Sequence, residues 1–169
     1  MAMDKRGLID SHKPKVVILS RSEQTRKVRG AVARRAYETF AHRGSVVGHE
    51  LEDWCQAEAE IVKPLCCGLM PLEQNLWVET GTSLFEAGSI EIWVAARNIT
   101  ICGKPCSSHM NAREAEREAT GRPEMIFRVL DLPVEIDPSG TTVKLNGPSM
   151  EILFKKVKTE PEQKAKAAA

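Results

Sequence analysis

The spacing of apolar positions divides the chain into an early helical part and a later β part. Val32, Ala33, Ala36, Tyr37, Phe40 and Ala41 recur at helical spacing, with Arg34, Arg35 and Glu38 falling off that stripe. His42 and Arg43 suit the helix dipole in the last turn, and Gly44 supplies a stop. A second helix is predicted from Gly48-His49, with Glu50, Glu52 and Asp53 in its first turn and Leu51, Trp54, Cys55 and Ile61 on its apolar face. Lys63-Pro64 ends it, because a residue before proline is pushed out of the helical region. The short connection predicts an antiparallel hairpin whose core is Tyr37, Phe40, Leu51 and Trp54.

After Asn75 the period changes to two. Ile90, Ile92 and Val94 alternate with Glu91, Trp93 and Ala95, and Ile99 and Ile101 alternate with Asn98, Thr100 and Cys102. This pattern predicts a β-hairpin with one buried face. Further strands are expected over Leu76 to Thr80, Ser83 to Glu86, Met125 to Leu132, Thr141 to Leu145 and Met150 to Phe154, with Asn146-Gly147 as a turn. About seven short strands suit an immunoglobulin-like antiparallel β-sandwich, so the fold class expected is mainly β with a helical hairpin in front. Residues 1–27 read as a flexible arm, 28–62 as a two-helix module, 63–75 as a linker, 76–157 as the sandwich and 158–169 as a flexible tail. Within the arm, Val16-Val17-Ile18-Leu19 is a short apolar stretch suited to adding as a strand or touching a partner. Ala112 to Ala119, inside a long polar loop, favours helix.

Composition narrows the function more than it defines it. The 169 residues are 42% hydrophobic and 28% charged, values of a folded globular chain. A net charge of +1 gives no reason to expect nucleic acid or an anionic membrane as partner. No apolar stretch resembles a secretion signal or a membrane span, so a cytoplasmic location is expected. Cys55, Cys66, Cys67, Cys102 and Cys106 lack the spacing of a disulfide framework or a zinc site and read as reduced thiols. His49 and Asp53 stand one helical turn apart, but their positions also fit the start of a helix. None of the histidines sits beside a candidate nucleophile in a recognisable turn, and no glycine-rich phosphate cradle is present. The reading is therefore no enzyme, no cofactor and no metal. Trp93 faces opposite Ile92 and Val94, where it packs under a loop or against another subunit.

From Leu76 onward four pieces, in order, resemble the alpha-crystallin domain of small heat-shock proteins. They are Leu76-Trp77-Val78-Glu79-Thr80; Ile90-Glu91-Ile92-Trp93-Val94 with Asn98-Ile99-Thr100-Ile101-Cys102-Gly103-Lys104; Phe127-Arg128-Val129-Leu130-Asp131-Leu132-Pro133 with Ile136-Asp137; and Val143-Lys144-Leu145-Asn146-Gly147 with Met150-Glu151-Ile152. Ala87-Gly88 replaces the family's usual Leu-Pro-Gly stretch, Met150 stands where leucine is common, and the tail lacks an Ile-x-Ile type motif. Residues 28–62 resemble a short bacterial two-helix domain of unknown function, through Ala33-Arg34-Arg35-Ala36-Tyr37, Arg43-Gly44, Gly48-His49, Asp53-Trp54 and Ala57-Glu58. The first resemblance implies a stress-response chaperone that holds partly unfolded polypeptides without ATP, as a homodimer or small homo-oligomer. The alternative is a non-chaperone interaction module on the same sandwich. On either reading the binding candidates are Val16, Ile18, Trp93, Val143, Leu145 and Met150.

Overall fold

The structure, a computed structural model, describes residues 13–106 and 121–157. Its elements are β1 (Lys15–Ile18), α1 (Arg21–His42), α2 (Glu50–Ile61), β2 (Val62–Pro64), β3 (Cys67–Pro71), β4 (Asn75–Gly81), β5 (Glu91–Val94), β6 (Asn98–Gly103), β7 (Ile126–Asp131), β8 (Ile136–Asn146) and β9 (Ser149–Lys156). The strands form two sheets. Sheet A has the order β1-β5-β6-β7-β2 and sheet B the order β3-β4-β9-β8. The result is a mainly β, two-sheet sandwich with two helices on the N-terminal side.

The core between the sheets follows from the period of two. Ile92 pairs with Ile101 and Val94 with Ile99 in sheet A; Val78 pairs with Ile152 and Leu76 with Phe154 in sheet B. All eight are fully buried and belong to one apolar cluster with Ile136, Met150 and Val143. Asn146 and Ser149 close the β8–β9 hairpin, with Gly147 at a φ of +62°, a left-handed conformation that glycine adopts without strain. Gly103 ends β6 where a Cβ would stand 3.0 Å from the Phe85 ring and 3.0 Å from Ser89 Oγ, so a side chain there would force its neighbours apart.

The opposite face of sheet A is covered as well. Register aligns Val17, Trp93, Thr100 and Val129 in one row and Glu91, Cys102, Phe127 and Val62 in the next. On these rows lie Val32 of α1 and Ala57 and Ile61 of α2, forming a second buried cluster with Trp93, Cys102 and Phe127. The order across the molecule is therefore helices, sheet A, sheet B. One polar clasp crosses the helix–sheet seam: the Thr100 hydroxyl donates to Gln24 Oε1 at 2.8 Å, and Gln24 Nε2 donates to the Leu19 carbonyl at 3.1 Å.

Several expectations change. The arm expected through residue 27 instead holds β1 and the start of α1. Ser20 caps that helix: its side chain accepts from the Glu23 amide while the Glu23 carboxylate accepts from the Ser20 amide, a reciprocal capping box. The expected linker, 63–75, carries most of β2 and all of β3. Both sheets thus draw strands from outside residues 76–157. Ser83 to Glu86 is not a strand; Phe85 makes only an isolated bridge with Pro105. The helical expectation for Ala112 to Ala119 and the tail expectation for 158–169 lie outside the described residues.

Candidate functional site

Sheet edges decide where another polypeptide can add, because an unpaired strand edge presents free backbone donors and acceptors. Sheet A is extended at each end by a short parallel strand, which then forms its edge. β1 runs parallel to β5, with Lys15 donating to the Ile90 carbonyl and Leu19 to the Val94 carbonyl, each at 3.1 Å. On the other side β2 runs parallel to β7, continued by Leu65 donating to the Val129 carbonyl at 2.9 Å. The same short helical module thus places one strand at each edge and its helices across the face between them.

The outer strands of both sheets, β1 and β2 in sheet A and β3 and β8 in sheet B, each pair on one side only among the described residues; β1 and β2 are four and three residues long, β3 and β8 five and eleven. β3 is short and largely exposed, and it presents Leu69 and Met70, followed by exposed Leu72. Sequence reasoning missed these three because Gly68 and Pro71 read as linker signals. The apolar pair Leu69-Met70 between them was the available clue. At the other edge of sheet B, β1 approaches β8. Val16 and Ile18 remain exposed there, as does Leu145 on β8.

The six binding candidates therefore separate. Val16, Ile18 and Leu145 reach the surface. Val143 and Met150 do not; they face the opposing sheet inside the core, as their alternation with Lys144 and Glu151 requires. Trp93 is also withdrawn, at 5% exposure. Its ring packs at 5.8 Å from the Phe127 ring, Lys27 Nζ stands 5.3 Å from its centroid, and its indole N–H donates to Glu91 at 3.0 Å. Among the described residues α1 covers it, with Met125 packed against the same cluster.

The expected hairpin core is corrected in the same way. Tyr37 and Leu51 are exposed, and Phe40 and Trp54 are only half-buried. Buried instead are Val32, Arg35, Thr39, Asp53, Ala57 and Ile61. Ion pairs make this possible. Arg35 donates to both carboxylate oxygens of Glu60 at 2.9 Å and to Glu38 at 3.0 Å, while Arg43 holds both oxygens of Asp53 at 2.6 and 2.9 Å. Burial alone would lower the Arg35 pKa, but the Glu60 and Glu38 carboxylates outweigh it and raise it. Asp53 thus serves Arg43, while His49 pairs with Glu52 at 2.7 Å. The two residues considered as a metal pair face different partners.

The thiols divide by environment. Cys55 and Cys66 are exposed, and Cys102 is buried beneath the helices. Burial, aided by the Glu91 carboxylate, pushes the Cys102 thiol up to about 12, so it stays protonated and unreactive near neutral pH. Among the described residues no three His, Cys, Asp or Glu side chains converge as metal ligands. No described helix is long and apolar enough to cross a membrane.

Comparison with known proteins adds the following. Residues 30–62 match the family described as "Protein of unknown function (DUF2934)", which covers the helical module and not the sandwich. No curated protein matches the chain. Similar solved structures include heat shock protein 16.0 from Schizosaccharomyces pombe, 13% identical with a TM-score of 0.43, covering 73% of this chain and 95% of that one. A small heat-shock protein from Xylella fastidiosa is 13% identical with a TM-score of 0.41, covering 63% of this chain and 98% of that one. The hspA from Xanthomonas axonopodis is 18% identical with a TM-score of 0.40, covering 56% and 93%.

Proposed function

We propose that this chain holds partly unfolded polypeptides without ATP and limits their aggregation, receiving apolar segments chiefly along the free edge of β3. The single observation that carries this reading is the open β3 edge bordered by exposed Leu69, Met70 and Leu72. An extended client segment gains backbone hydrogen bonds from such an edge and apolar contact from the side chains beside it. Val16, Ile18 and Leu145 offer a second, smaller contact at the far side. Holding by surfaces needs no nucleotide, cofactor or catalytic group. It is also the activity implied by the resemblance to small heat-shock proteins, whose four sequence pieces fall here on β4, β5–β6, β7–β8 and β8–β9. A cytoplasmic setting and a bacterial source belong to the same reading.

A second reading has its own support. The helices cover the outer face of sheet A, which reduces the surface for loose capture and suits a module that binds one defined partner through β3. Met70→Lys separates the readings from a mere stability effect. A charge on an edge strand opposes strand addition, whereas at an exposed position it should change stability by less than about 0.5 kcal/mol. We expect Met70→Lys to lose at least half of the suppression of client aggregation, with an unchanged unfolding midpoint. Full retention of suppression would remove β3 from the holding site. Recovery of one discrete partner by the wild type alone, with no suppression by either protein, would favour the dedicated module.

A further inference from the structure

The helical module carries apolar residues on two sides, and only one of them packs on sheet A. On α1 the side against sheet A carries Gln24, Val28, Val32, Arg35 and Thr39, all buried or half-buried. The opposite side carries Arg26, Gly30, Ala33, Tyr37 and Ala41, all exposed. On α2 the inner positions are Asp53, Ala57 and Ile61, while Leu51, Cys55 and Ala59 recur at a spacing of four on the exposed side. Polar Gln24, Arg35, Thr39 and Asp53 thus lie inside, while Tyr37 at 68% and Leu51 at 75% exposure lie outside. Val46 and Val47, in the connection between the helices, are exposed too. Small residues around one large aromatic and one leucine allow close approach of another helix. Tyrosine is also enriched at the centre of protein interfaces.

Charge identifies the occupant. α1 carries Arg21, Arg26, Lys27, Arg29, Arg34 and Arg35 against Glu23 and Glu38; α2 carries Glu50, Glu52, Asp53, Glu58 and Glu60 and no cation. Part of this charge is neutralised within the chain, through Arg35–Glu60, Arg34–Glu124, Arg21–Asp131 and Arg43–Asp53. Arg26 and Glu58 are exposed and make no ion pair within 4.0 Å among the described residues. A long polyanion lying on α1 would meet the acids of α2 beside it, and a polycation on α2 would meet the arginines of α1. A second copy meets neither obstacle, because it carries both halves of the complement. We propose that two copies associate through the exposed faces of their helical modules, α1 of each against α2 of the other. Tyr37 and Leu51 lie at the centre, and Arg26 approaches the acids of the opposite α2. A two-fold axis satisfies both contacts at once, whereas α1 on α1 would oppose like charges. This pairing is independent of the holding activity, since it leaves the β3 edge free.

The test is the molar mass of the full chain by size exclusion with light scattering, at low salt. The wild type is expected as a dimer or an even-numbered assembly. Tyr37→Asp with Leu51→Asp should halve that mass while leaving the circular dichroism unchanged, because both positions are exposed. Arg26→Glu alone should weaken association about 10-fold, the size expected for losing one cross-interface charge pair. A monomeric wild type, or a double variant that folds and keeps the wild-type mass, overturns the pairing. Should the double variant fail to fold, Tyr37→Ser decides: a mass distribution like that of the wild type at every concentration overturns it, and a shift toward monomer on dilution supports it.

Discussion

Phe127→Ala is expected to cost about 3–5 kcal/mol and to release the helices from sheet A before the sandwich itself opens. Phe127 is 2% exposed and stands on the helix-facing side of sheet A, beside Trp93 and beneath the helical module. Its removal leaves a cavity that neighbours cannot readily close, since β7 is held between β6 and β2. The cluster beneath the helices is also smaller than the one between the sheets, which contains Leu76, Ile92, Ile101, Ile152 and Phe154. Local opening should therefore start at the helix side. Cys102 reports it directly. In the wild type its alkylation near neutral pH should lag far behind that of exposed Cys55 and Cys66; in the variant it should accelerate ahead of global unfolding. A loss below about 1 kcal/mol, with Cys102 still protected, would show that Phe127 does not hold the layers together.

Arg35→Met is the second large effect, with an expected loss of about 3 kcal/mol. The Arg35 side chain is 4% exposed and forms a bidentate pair with Glu60, a further pair with Glu38 and a bond to the Gly121 carbonyl at 2.9 Å. Removing it leaves Glu60, only 23% exposed, without its principal partner. Breaking a buried pair from one side costs far more than the pair's net worth, because the remaining charge stays poorly solvated. Arg34→Met is the control. Its pair with Glu124 is 64% and 69% exposed, and its loss should cost less than about 1 kcal/mol. Urea unfolding of both variants measures the difference; equal midpoints would contradict the role assigned to Arg35.

What the sequence made legible is the inter-sheet core. Ile92, Val94, Ile99 and Ile101 alternate with Glu91, Trp93, Asn98, Thr100 and Cys102, and Asn146-Gly147 marks the turn of the closing hairpin. The third layer was not legible from the same alternation. Thr100 and Cys102 occupy positions that read as a solvent face, yet they lie beneath α1 and α2. Helix α1 was half legible. Ser20 and Glu23 form a capping box that marks its start, but the surrounding Lys, Arg and Ser residues and Pro14 read as an arm. Its inward side was hidden for a different reason. Val32, Ala33, Ala36, Tyr37, Phe40 and Ala41 spread over much of the helical circumference, so spacing alone does not choose between two sides. Tertiary contacts choose, and they place Val32 inward with Arg35 and Thr39, leaving Tyr37 outside. For the candidate site the exposed Val16, Ile18 and Leu145 were readable. The β3 edge was not, because glycine and proline flank its apolar residues.

The most direct measurement of the proposed holding activity is light scattering from an unrelated enzyme heated with increasing amounts of the purified chain, without nucleotide. The account expects scattering to fall progressively and to be largely suppressed near a stoichiometric ratio of chain to client. Scattering that stays at the client-alone level through a several-fold excess would contradict it.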